Sequence, residues 1–356
     1  MENKPDFVLI LEVDLRAYVT NIFRAVGCRE DEAATIADHL VAANLAGHDS
    51  HGVGLIREYV RSIRDDKFQA NQHAEVVRDS GPILVLDGRR GAGQVVGTEA
   101  MALGVERARN LGAAIVALRR SHHLGRIGAY AEQCAAAGMV SVHWVNVIGH
   151  RQFVAPFGGS DVRLGTNPFC AGVPRPGHLP LILDMATSRI AYGKLRVAKN
   201  LGKRVMDGTL IDGAGRPTDD PGVMVPDVVG ALLPFGEHKG SGLGLLCDIL
   251  GGGLTEGGTN HAGAVNDDMI INNMFSVIID PAALGDAAAI AGHVERVVAW
   301  VKNSPPAPGV SGVLVAGEPE ERRRIERRRG GVPIDQTTWA ELAAVAASLG
   351  VAVPAV

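Results

Sequence analysis

The chain has 356 residues, a length that favours two lobes over one compact domain. Hydrophobic residues make up 46% of it and charged residues 21%, which is the composition of a folded globular protein and excludes extensive disorder. The formal net charge of -4 excludes a general electrostatic attraction to nucleic acid or to an acidic membrane, because both attract strongly positive proteins.

Helical patterns open the chain. Apolar side chains recur at helical spacing in residues 31–46, and Gly47 ends the run. A second helix is predicted to begin near Ser50. Its apolar face comprises Val53, Ile56, Val60 and Ile63. The compact loop GHDSHG therefore connects two predicted helices.

The middle of the chain alternates strand and helix patterns. Residues 114–118 and 140–147 are predicted strands, and the helical pattern of residues 127–137 between them favours a parallel crossover. The loop 119–126 leaves the first strand at its carboxyl end, where ligands bind in open α/β sheets. Other predicted elements are strands at 83–86, 181–184 and 275–279, helices at 188–200, 242–250, 293–302 and 339–349, and an excursion of turns at 204–236. The predicted fold class is α/β, with a mixed central sheet and helical N- and C-terminal parts.

Cysteine usage and hydropathy indicate the compartment. No CxxC pair occurs, so the cysteines are predicted to be reduced and buried rather than paired in disulfides or bound to zinc. They are Cys28, Cys134, Cys170 and Cys247. A signal-peptide pattern and an apolar run of membrane-spanning length are both missing, so we expect a cytoplasmic location.

One basic run stands out near the C-terminus. Residues 322–329 contain six arginines that alternate with or follow glutamates. Mixed runs of this kind are typical of a solvated helix face with local ion pairs, which is the structure that we predict here.

The GHDSHG loop is the densest polar cluster in the sequence. Ser50 or His51 is predicted to lie at a helix N-terminus, where free N–H groups and the helix dipole favour a substrate carboxylate. Arg57 follows Ser50 by seven residues, so its guanidinium is predicted to reach the same anion. The alternative is structural: Ser50 caps the helix, while His51 and Arg57 contact neighbouring groups.

A second cluster, Ser121 to Gly125, follows the first strand of the predicted crossover. Transfer of a hydride at a carbinol carbon requires a base for the hydroxyl proton, and histidine titrates near neutral pH. His122 or His123 is therefore a candidate acid/base. The alternative is that both histidines pack in the fold beside nearby arginines.

The two histidine clusters also raise the question of a metal. His48 and His51 are three residues apart, a spacing at which two imidazoles can share an ion. Neither HExxH nor a carboxylate at ligand spacing accompanies them, so no metal is expected. A metal-dependent hydrolase or lyase remains the alternative class of enzyme.

Glycine-rich segments offer several possible nucleotide sites. The stretch GAGQVVG at 91–97 has the spacing GxGxxxG instead of GxGxxG, and we interpret it as a turn and a helix-packing feature. Better anion sites are the strand-to-helix junction of residues 184–188 and the segment GEHKG at 236–240, where Lys239 adds a positive charge.

An ordered set of motifs resembles the type 2 malate/L-lactate dehydrogenase family. The motifs are GHDSHG, SHHLGRIG, VAPFGGSD, GTNPF, LDMATS, YGK, LIDGAGRPTDDP, GEHKGSGLGL and AGEPE. They extend from about Asp31 to the GVPI segment near Pro333, and AANLAGHDSHG and GEHKG are most similar to the hydroxycarboxylate dehydrogenase B branch. The family also contains ureidoglycolate dehydrogenases, diketogulonate reductases and cyclic imino-acid reductases.

The resemblance implies a non-Rossmann fold that binds NAD or NADP, and a homodimer with active sites near the subunit interface. It implies that Ser50, Arg57, Tyr59 and His122 contact the substrate and that His51 or His123 is the acid/base. The implied cofactor contacts are His51, Gly125, Arg126, Ile127, Asp184, Met185, Ala186, Thr187, Ser188, Lys194, His238, Lys239, Gly317 and Glu318. Two departures matter: many relatives have asparagine at the position of His122, and KRVMDGT replaces the usual proline and tryptophan before LIDGAG.

The predicted function is hydride transfer between NAD(P) and C2 of a small 2-hydroxy or 2-keto acid. Reduction of the C=N bond of a cyclic imino acid is the alternative within the same class, and a non-catalytic binding scaffold is a further one. We predict a substrate-side and dimerisation domain of residues 1–120 plus 285–356, and an NAD(P)-binding domain of residues 121–284.

Overall fold

The computed structural model describes residues 7–200, 202–225, 227–264 and 267–355. Residues 1–6 and 356 of the predicted domains, and residue 226 of the predicted excursion of turns, lie outside the described residues. The α-helices are α1 (Glu12–Ala25), α2 (Glu30–Leu45), α3 (Ile56–Arg64), α4 (Gly93–Leu111), α5 (Gly128–Ala136), α6 (Tyr192–Asn200), α7 (His238–Cys247), α8 (Ala287–Lys302), α9 (Glu318–Gly330) and α10 (Gln336–Ser348).

The strands form three sheets. They are β1 (Phe7–Ile10), β2 (Glu75–Ser80), β3 (Ile83–Asp87), β4 (Ala113–His122), β5 (Val140–Ile148), β6 (Phe169–Val173), β7 (Leu181–Met185), β8 (Leu210–Ile211), β9 (Pro217–Thr218), β10 (Ala231–Leu232), β11 (Ile271–Ile279) and β12 (Val332–Asp335). The central sheet has the order β2-β3-β4-β11-β5-β6-β7, and only β3 and β4 pair in parallel. The predicted α/β class with a mixed central sheet is confirmed.

The predicted crossover from β4 to β5 needs one correction. The two strands run in the same direction, as the crossover requires, but β11 lies between them and pairs antiparallel with both. This strand enters the sheet from more than 120 residues further along the chain, because the long apolar stretch of β11 is buried on both faces at the sheet centre. Its ladder is interrupted by a register shift between Asn272 and Met274.

The N- and C-terminal parts of the chain fold together. Side chains of α1, α2 and α3 share one buried core with β12 and α10, and β1 pairs antiparallel with β12. In α2 the buried positions Ile36, Leu40 and Val41 follow the helical period that the sequence shows. We call this unit, made of α1–α3, α10, β1 and β12, the helical lobe.

A second core lies under the central sheet, where α4 and α5 cover one face. Gly97 of α4 faces the ring of Tyr130 of α5, and a Cβ at Gly97 would lie 2.6 Å from that ring. The glycine therefore permits close helix packing, which confirms the interpretation of the 91–97 stretch as a packing feature.

The predicted domain boundary at residues 120 and 121 divides β4, so it is wrong as a structural boundary. The core of the helical lobe is formed mostly by residues up to Phe68, whereas β2 and β3 already belong to the central sheet. The sheet core begins at Leu84, so the change of lobe falls near residue 72. The different roles assigned to the two domains stay predictions.

The basic helix α9 is more than a solvated face with local pairs. Arg324 pairs with Glu132 as well as with its neighbour Glu321, and Arg327 pairs with Asp49. The side chains of Arg324 and Arg327 are only 15% and 13% exposed. The arginines of α9 therefore connect it to other parts of the molecule, and the prediction was wrong in this respect.

The cysteine prediction is confirmed, since the four thiols are free and buried. In the described ranges, no helix combines the length and the apolar character needed to span a bilayer.

Candidate active site

The GHDSHG loop forms two short turns instead of the first turn of an α-helix. The 3-10 turns Asp49–His51 and Val53–Leu55 precede α3, which begins only at Ile56. The prediction that Ser50 or His51 lies at the N-terminus of an α-helix is therefore wrong. Gly52 adopts an extended conformation that separates the two turns.

Buried Asn44 fixes the path of these turns. Its amide donates to Asp49 Oδ1 at 2.7 Å, and its carbonyl oxygen accepts from Val53 N at 2.8 Å. Arg327 of α9 donates to the same carboxylate at 2.6 Å. The segment that carries Ser50 and His51 is thus clamped from both sides.

In the structure Arg57 contacts α10 instead of Ser50 and His51. Its side chain is 67% exposed and pairs with Glu341 of α10 at 2.9 Å. Since α3 begins after the turns, the seven-residue spacing from Ser50 does not correspond to two helical turns. The helical spacing on which the predicted clamp was based is therefore absent, and contact of Arg57 with a substrate carboxylate stays a prediction.

Helix α6 brings two other cations to the turns. Gly193 packs against Ser50, where a Cβ would lie 2.5 Å from the serine Cβ. The guanidinium of Arg196 lies against Gly54, at 3.2 Å from the Cβ that would be built there. Lys194, one residue after Gly193, contributes to lowering the pKa of His51. Lys194 was among the residues predicted from the sequence, whereas Arg196 was not.

His123 lies just after β4, where three elements hold it. Its Nδ1 is 2.6 Å from the hydroxyl of Tyr59, which α3 presents. The amide of Gln94, in the first turn of α4, donates to the same hydroxyl at 3.1 Å. The next residue, Leu124, donates its N–H to Asn272 Oδ1 at 2.8 Å. Tyr59 is fully buried, so it supports His123 rather than lining the substrate side as predicted.

His51 and His123 form a stacked pair. Their ring centroids are 5.7 Å apart and the planes differ by 17°. The Ser50 hydroxyl is 3.1 Å from His51 Nδ1. Burial, assisted by nearby His48, Arg126 and Lys194, lowers the pKa of His51 to about 4. Burial, together with the neighbouring imidazoles, also places the pKa of His123 well below 6.5. Both rings are therefore neutral at pH 7 in the free protein.

His122 occupies a different environment from His123. It is fully buried, stacks on Phe68 at 4.6 Å and meets the edge of Tyr59 at 5.2 Å. Neither of its ring nitrogens has a partner among the described residues, and burial lowers the pKa of the ring to about 3. Its predicted contact with substrate does not agree with this position, whereas the alternative of a packing histidine does.

The two predicted anion sites lie next to each other: the junction after β7 contacts the start of α7. Gly240 packs on Thr187, where a Cβ would lie 2.8 Å from the threonine carbonyl oxygen, and Phe235 N donates to that oxygen. Asp184, Met185 and Ala186 remain partly exposed, and His238 and Lys239 are exposed. The hydroxyls of Thr187 and Ser188 are buried and bonded to main-chain carbonyls.

Asp184 connects this junction to the SHHLGRIG loop. Its carboxylate accepts from Gly128 N at 2.7 Å. Burial raises the pKa of Asp184 despite the nearby Arg126 and this N–H group. Arg126 is itself buried and pairs with Glu132 at 2.5 Å. Gly125 and Ile127 are buried on either side of it.

Gly317 and Glu318 lie at the opposite end of β7. A Cβ at Gly317 would lie 3.1 Å from the carbonyl of Pro180, just before that strand begins. Glu318 pairs with Lys302 and accepts from Val315 N at 3.1 Å. Their predicted role as cofactor contacts stays a prediction.

His48 and His51, the pair whose spacing raised the question of a metal, have different partners. His48 pairs with Glu320 at 3.3 Å, whereas His51 bonds to Ser50. The described part of the chain contains no group of three or more histidine, cysteine or acidic side chains that could hold an ion.

Sequence reasoning missed several polar residues that surround His123. Gln94 was seen only as part of a glycine-rich stretch, and Asn272 lay outside the predicted strand. Asn272 also donates to the carbonyl of Asn146, and Asn273 donates to the Asn146 side chain at 2.9 Å. The signal available was the pair of asparagines inside an apolar strand, because buried amides require partners.

Comparison with known proteins identifies the family. The model of the malate/L-lactate dehydrogenase family matches residues 11–343, and the chain belongs to this family. It is 48% identical to hydroxycarboxylate dehydrogenase B of Escherichia coli (strain K12), over 94% of this chain and 93% of that protein. An L-lactate dehydrogenase of Cupriavidus necator is 40% identical over 95% of this chain and 97% of its own length.

A solved structure gives the same result for the fold. Malate dehydrogenase from Pyrococcus horikoshii OT3 superposes with a TM-score of 0.87 at 29% identity, covering 98% of this chain and 97% of that one. The family resemblance predicted from the motifs is therefore confirmed, and the protein is a dehydrogenase.

Proposed function

We propose that this dehydrogenase transfers a hydride between NAD(P) and C2 of a small 2-hydroxy or 2-keto carboxylic acid. The stacked pair of neutral imidazoles, His51 and His123, is the observation that carries the proposal. Interconversion of a carbinol and a carbonyl requires one group that exchanges a proton with the oxygen. Relatives named for hydroxycarboxylates and L-lactate support the substrate class.

His123 is the better candidate for the acid/base. Its Nδ1 is occupied by the Tyr59 hydroxyl, which fixes the ring and leaves Nε2 available for the substrate oxygen. His51 instead bonds to Ser50, on the segment that faces α6. In the reduction, His123 Nε2 gives a proton to the carbonyl oxygen; in the oxidation, the same nitrogen takes the hydroxyl proton.

The substrate carboxylate requires a cationic or N–H donor near these rings. Arg57 is paired with Glu341, so we assign the role to Ser50 together with Lys194 and Arg196 of α6. A guanidinium and an ammonium group both suit a carboxylate, and the hydroxyl adds a third donor. This set replaces the clamp predicted from the sequence.

The residues present also fit a dinucleotide. His238 and Lys239 in the first turn of α7 are exposed and offer side-chain donors, which suits a phosphate. Asp184, at the end of β7, holds a carboxylate that accepts from Gly128 N, and a carboxylate can also accept from a ribose hydroxyl or an amide. When bound, the nicotinamide would supply or accept the hydride, and either NAD or NADP is compatible with this donor set.

We also propose a homodimer, because apolar side chains remain exposed beside this cofactor site. They are Leu245, Leu246, Ile249 and Leu254, each between 47% and 59% exposed. Light scattering after gel filtration tests this, with Leu246→Glu as the variant expected to shift the mass toward that of a monomer.

Turnover of His123→Asn tests the acid/base assignment. We expect kcat for 2-keto acid reduction to fall by a factor of about 100 to 10,000, while the protein stays folded. His293→Asn, on the exposed surface of α8, is the matched control and should keep normal turnover. The substrates are a panel of 2-keto acids and cyclic imines with NADH or NADPH, followed by coenzyme absorbance. Near-normal kcat in His123→Asn would rule out this assignment, and turnover restricted to cyclic imines would rule out the proposed substrate class.

A further inference from the structure

A buried row of three side chains extends from α4 to the ring of His123. The Gln94 amide nitrogen donates to the Tyr59 hydroxyl at 3.1 Å, and that hydroxyl is 2.6 Å from His123 Nδ1. Gln94 and Tyr59 are both fully buried. Because Gln94 presents a donor to Tyr59, His123 Nδ1 is the acceptor that its two bonded partners leave for the Tyr59 proton, so Nε2 carries the proton of the neutral ring.

The other end of the same amide has no hydrogen bond. Gln94 Oε1 is buried and has no partner among the described residues. A half turn of the amide about its last torsion would bring this oxygen to the Tyr59 hydroxyl in place of the nitrogen, with little change in shape. Tyr59 would then donate to Gln94 and would be free to accept from His123.

We propose that Gln94 is a positioning residue whose amide, by presenting either its nitrogen or its oxygen to Tyr59, sets which ring nitrogen of His123 carries a proton. With the nitrogen presented, His123 holds a proton on Nε2 and none on Nδ1. With the oxygen presented, His123 carries a proton on Nδ1, and Nε2 is either a free lone pair or the second N–H of the imidazolium.

This inference rests on the proposed role of His123 and deepens it. Oxidation of a hydroxy acid requires the Nε2 lone pair, and reduction of a keto acid requires a proton on Nε2 of the imidazolium. In both states Nδ1 carries a proton that needs an acceptor. Tyr59 can be that acceptor only when its own proton goes to Gln94. The unpartnered oxygen Gln94 Oε1 would therefore accept the Tyr59 proton during both oxidation and reduction.

No other neighbour of His123 is suited to stabilise a proton on its Nδ1. The neighbours that face the ring are His51 from the first 3-10 turn, His122 of the preceding strand, His150 after β5, and Tyr59 from α3. The three other imidazoles each lower the pKa of His123, so they disfavour its imidazolium form, and none of these neighbours is a carboxylate that would favour it. The polarity of the Gln94–Tyr59 pair is therefore the main means by which the protein can favour a proton on Nδ1.

Two substitutions of Gln94 should move the pH profile in opposite directions. In Gln94→Leu the Tyr59 proton has only Nδ1 as acceptor, so the imidazolium is disfavoured. In Gln94→Glu an ionised carboxylate accepts from Tyr59 and adds a negative charge, so the imidazolium is favoured. We expect the falling limb of kcat/KM for keto acid reduction to move by about one pH unit, downward in the first variant and upward in the second.

Matched controls separate positioning from packing. Gln133→Leu makes the same change at a part-buried glutamine of α5 that donates to the carbonyl of Thr98 on α4, and it should leave the profile unchanged. Tyr59→Phe removes the connecting hydroxyl, so adding Gln94→Leu to it should give no further shift. Should Gln94→Glu not fold, Gln94→Leu with and without Tyr59→Phe is sufficient.

Titration of His123 by NMR with 15N-labelled histidine gives a readout independent of turnover, with His123→Asn assigning the signals. We expect its pKa to move in the same directions as the kinetic profile. Shifts in the same direction for Leu and Glu, or an undiminished effect of Gln94→Leu in the Tyr59→Phe background, would overturn the proposal. Normal turnover of His123→Asn would reject the acid/base assignment alone, since the NMR titration would still test the row.

Discussion

Asn272 of β11 is the residue on which the position of the His123 loop depends most directly. It is 2% exposed, accepts the Leu124 N–H at 2.8 Å and donates to the carbonyl of Asn146 at 3.0 Å. Asn272→Ala would remove both bonds and leave two main-chain groups buried without these partners. Each such group costs about 1 to 3 kcal/mol.

We expect the free energy of unfolding to fall by about 3 kcal/mol in Asn272→Ala, since the Asn146 carbonyl can keep part of its bonding in the β5–β11 ladder. The His123 loop should also lose its fixed position, so kcat should fall by about 100-fold even in the folded protein. Urea denaturation followed by circular dichroism, together with turnover on the best keto acid, measures both effects.

The matched control is Asn303→Ala at the exposed C-cap of α8, which should change neither quantity. An unfolding free energy within about 0.5 kcal/mol of the wild type would refute the accounting of buried partners. Lost stability with unchanged kcat would show instead that Asn272 supports the sheet but does not position His123.

Three further perturbations test other contacts of the site. Glu132→Gln removes the carboxylate shared by Arg126 and Arg324, whose charges outweigh burial and lower the pKa of Glu132. We expect a loss of about 2 kcal/mol that is full above pH 4.5 and declines as the pH falls from there through the lower pKa of folded Glu132, and a pH-independent loss in denaturation curves would contradict this. Gly97→Ala would place a methyl group 2.6 Å from the Tyr130 ring, and we expect about 1 to 3 kcal/mol of destabilisation, with an unchanged Tm as the contrary result. Finally, kcat/KM for reduction should rise about tenfold per pH unit from about pH 9 to pH 7, because the lowered pKa of His123 leaves little imidazolium; a flat profile would exclude His123 as the proton donor.

Local patterns were sufficient for most of the elements. The helical period of α2 and the apolar run of β4 are visible in the sequence because burial on one face or on both leaves a short-range signal. The position of β11 was not predictable in this way. Its pairing with both β4 and β5 depends on strands that are distant in sequence, and no local period encodes a partner.

The candidate site divides in the same manner. His51 and His123 belong to polar clusters that were visible in the sequence, and the structure brings their rings together. The spacing argument that joined Arg57 to Ser50 assumed that one helix continues through Ser50, whereas Gly52 interrupts it and α3 begins only at Ile56. Spacing arguments hold only where the helix does.

The supports of His123 explain why a single segment could not reveal the site. Tyr59 comes from the helical lobe, Gln94 from a helix of the sheet core, and Asn272 from the strand inserted between β4 and β5. An acid/base must keep one ring nitrogen available while the other stays bonded, and that requires partners fixed independently of the loop that carries the ring. The boundary between the helical lobe and the sheet core, which we call the seam, offers such partners because side chains of both meet there. We therefore expect changes at this seam to alter the protonation of His123 before they alter the fold.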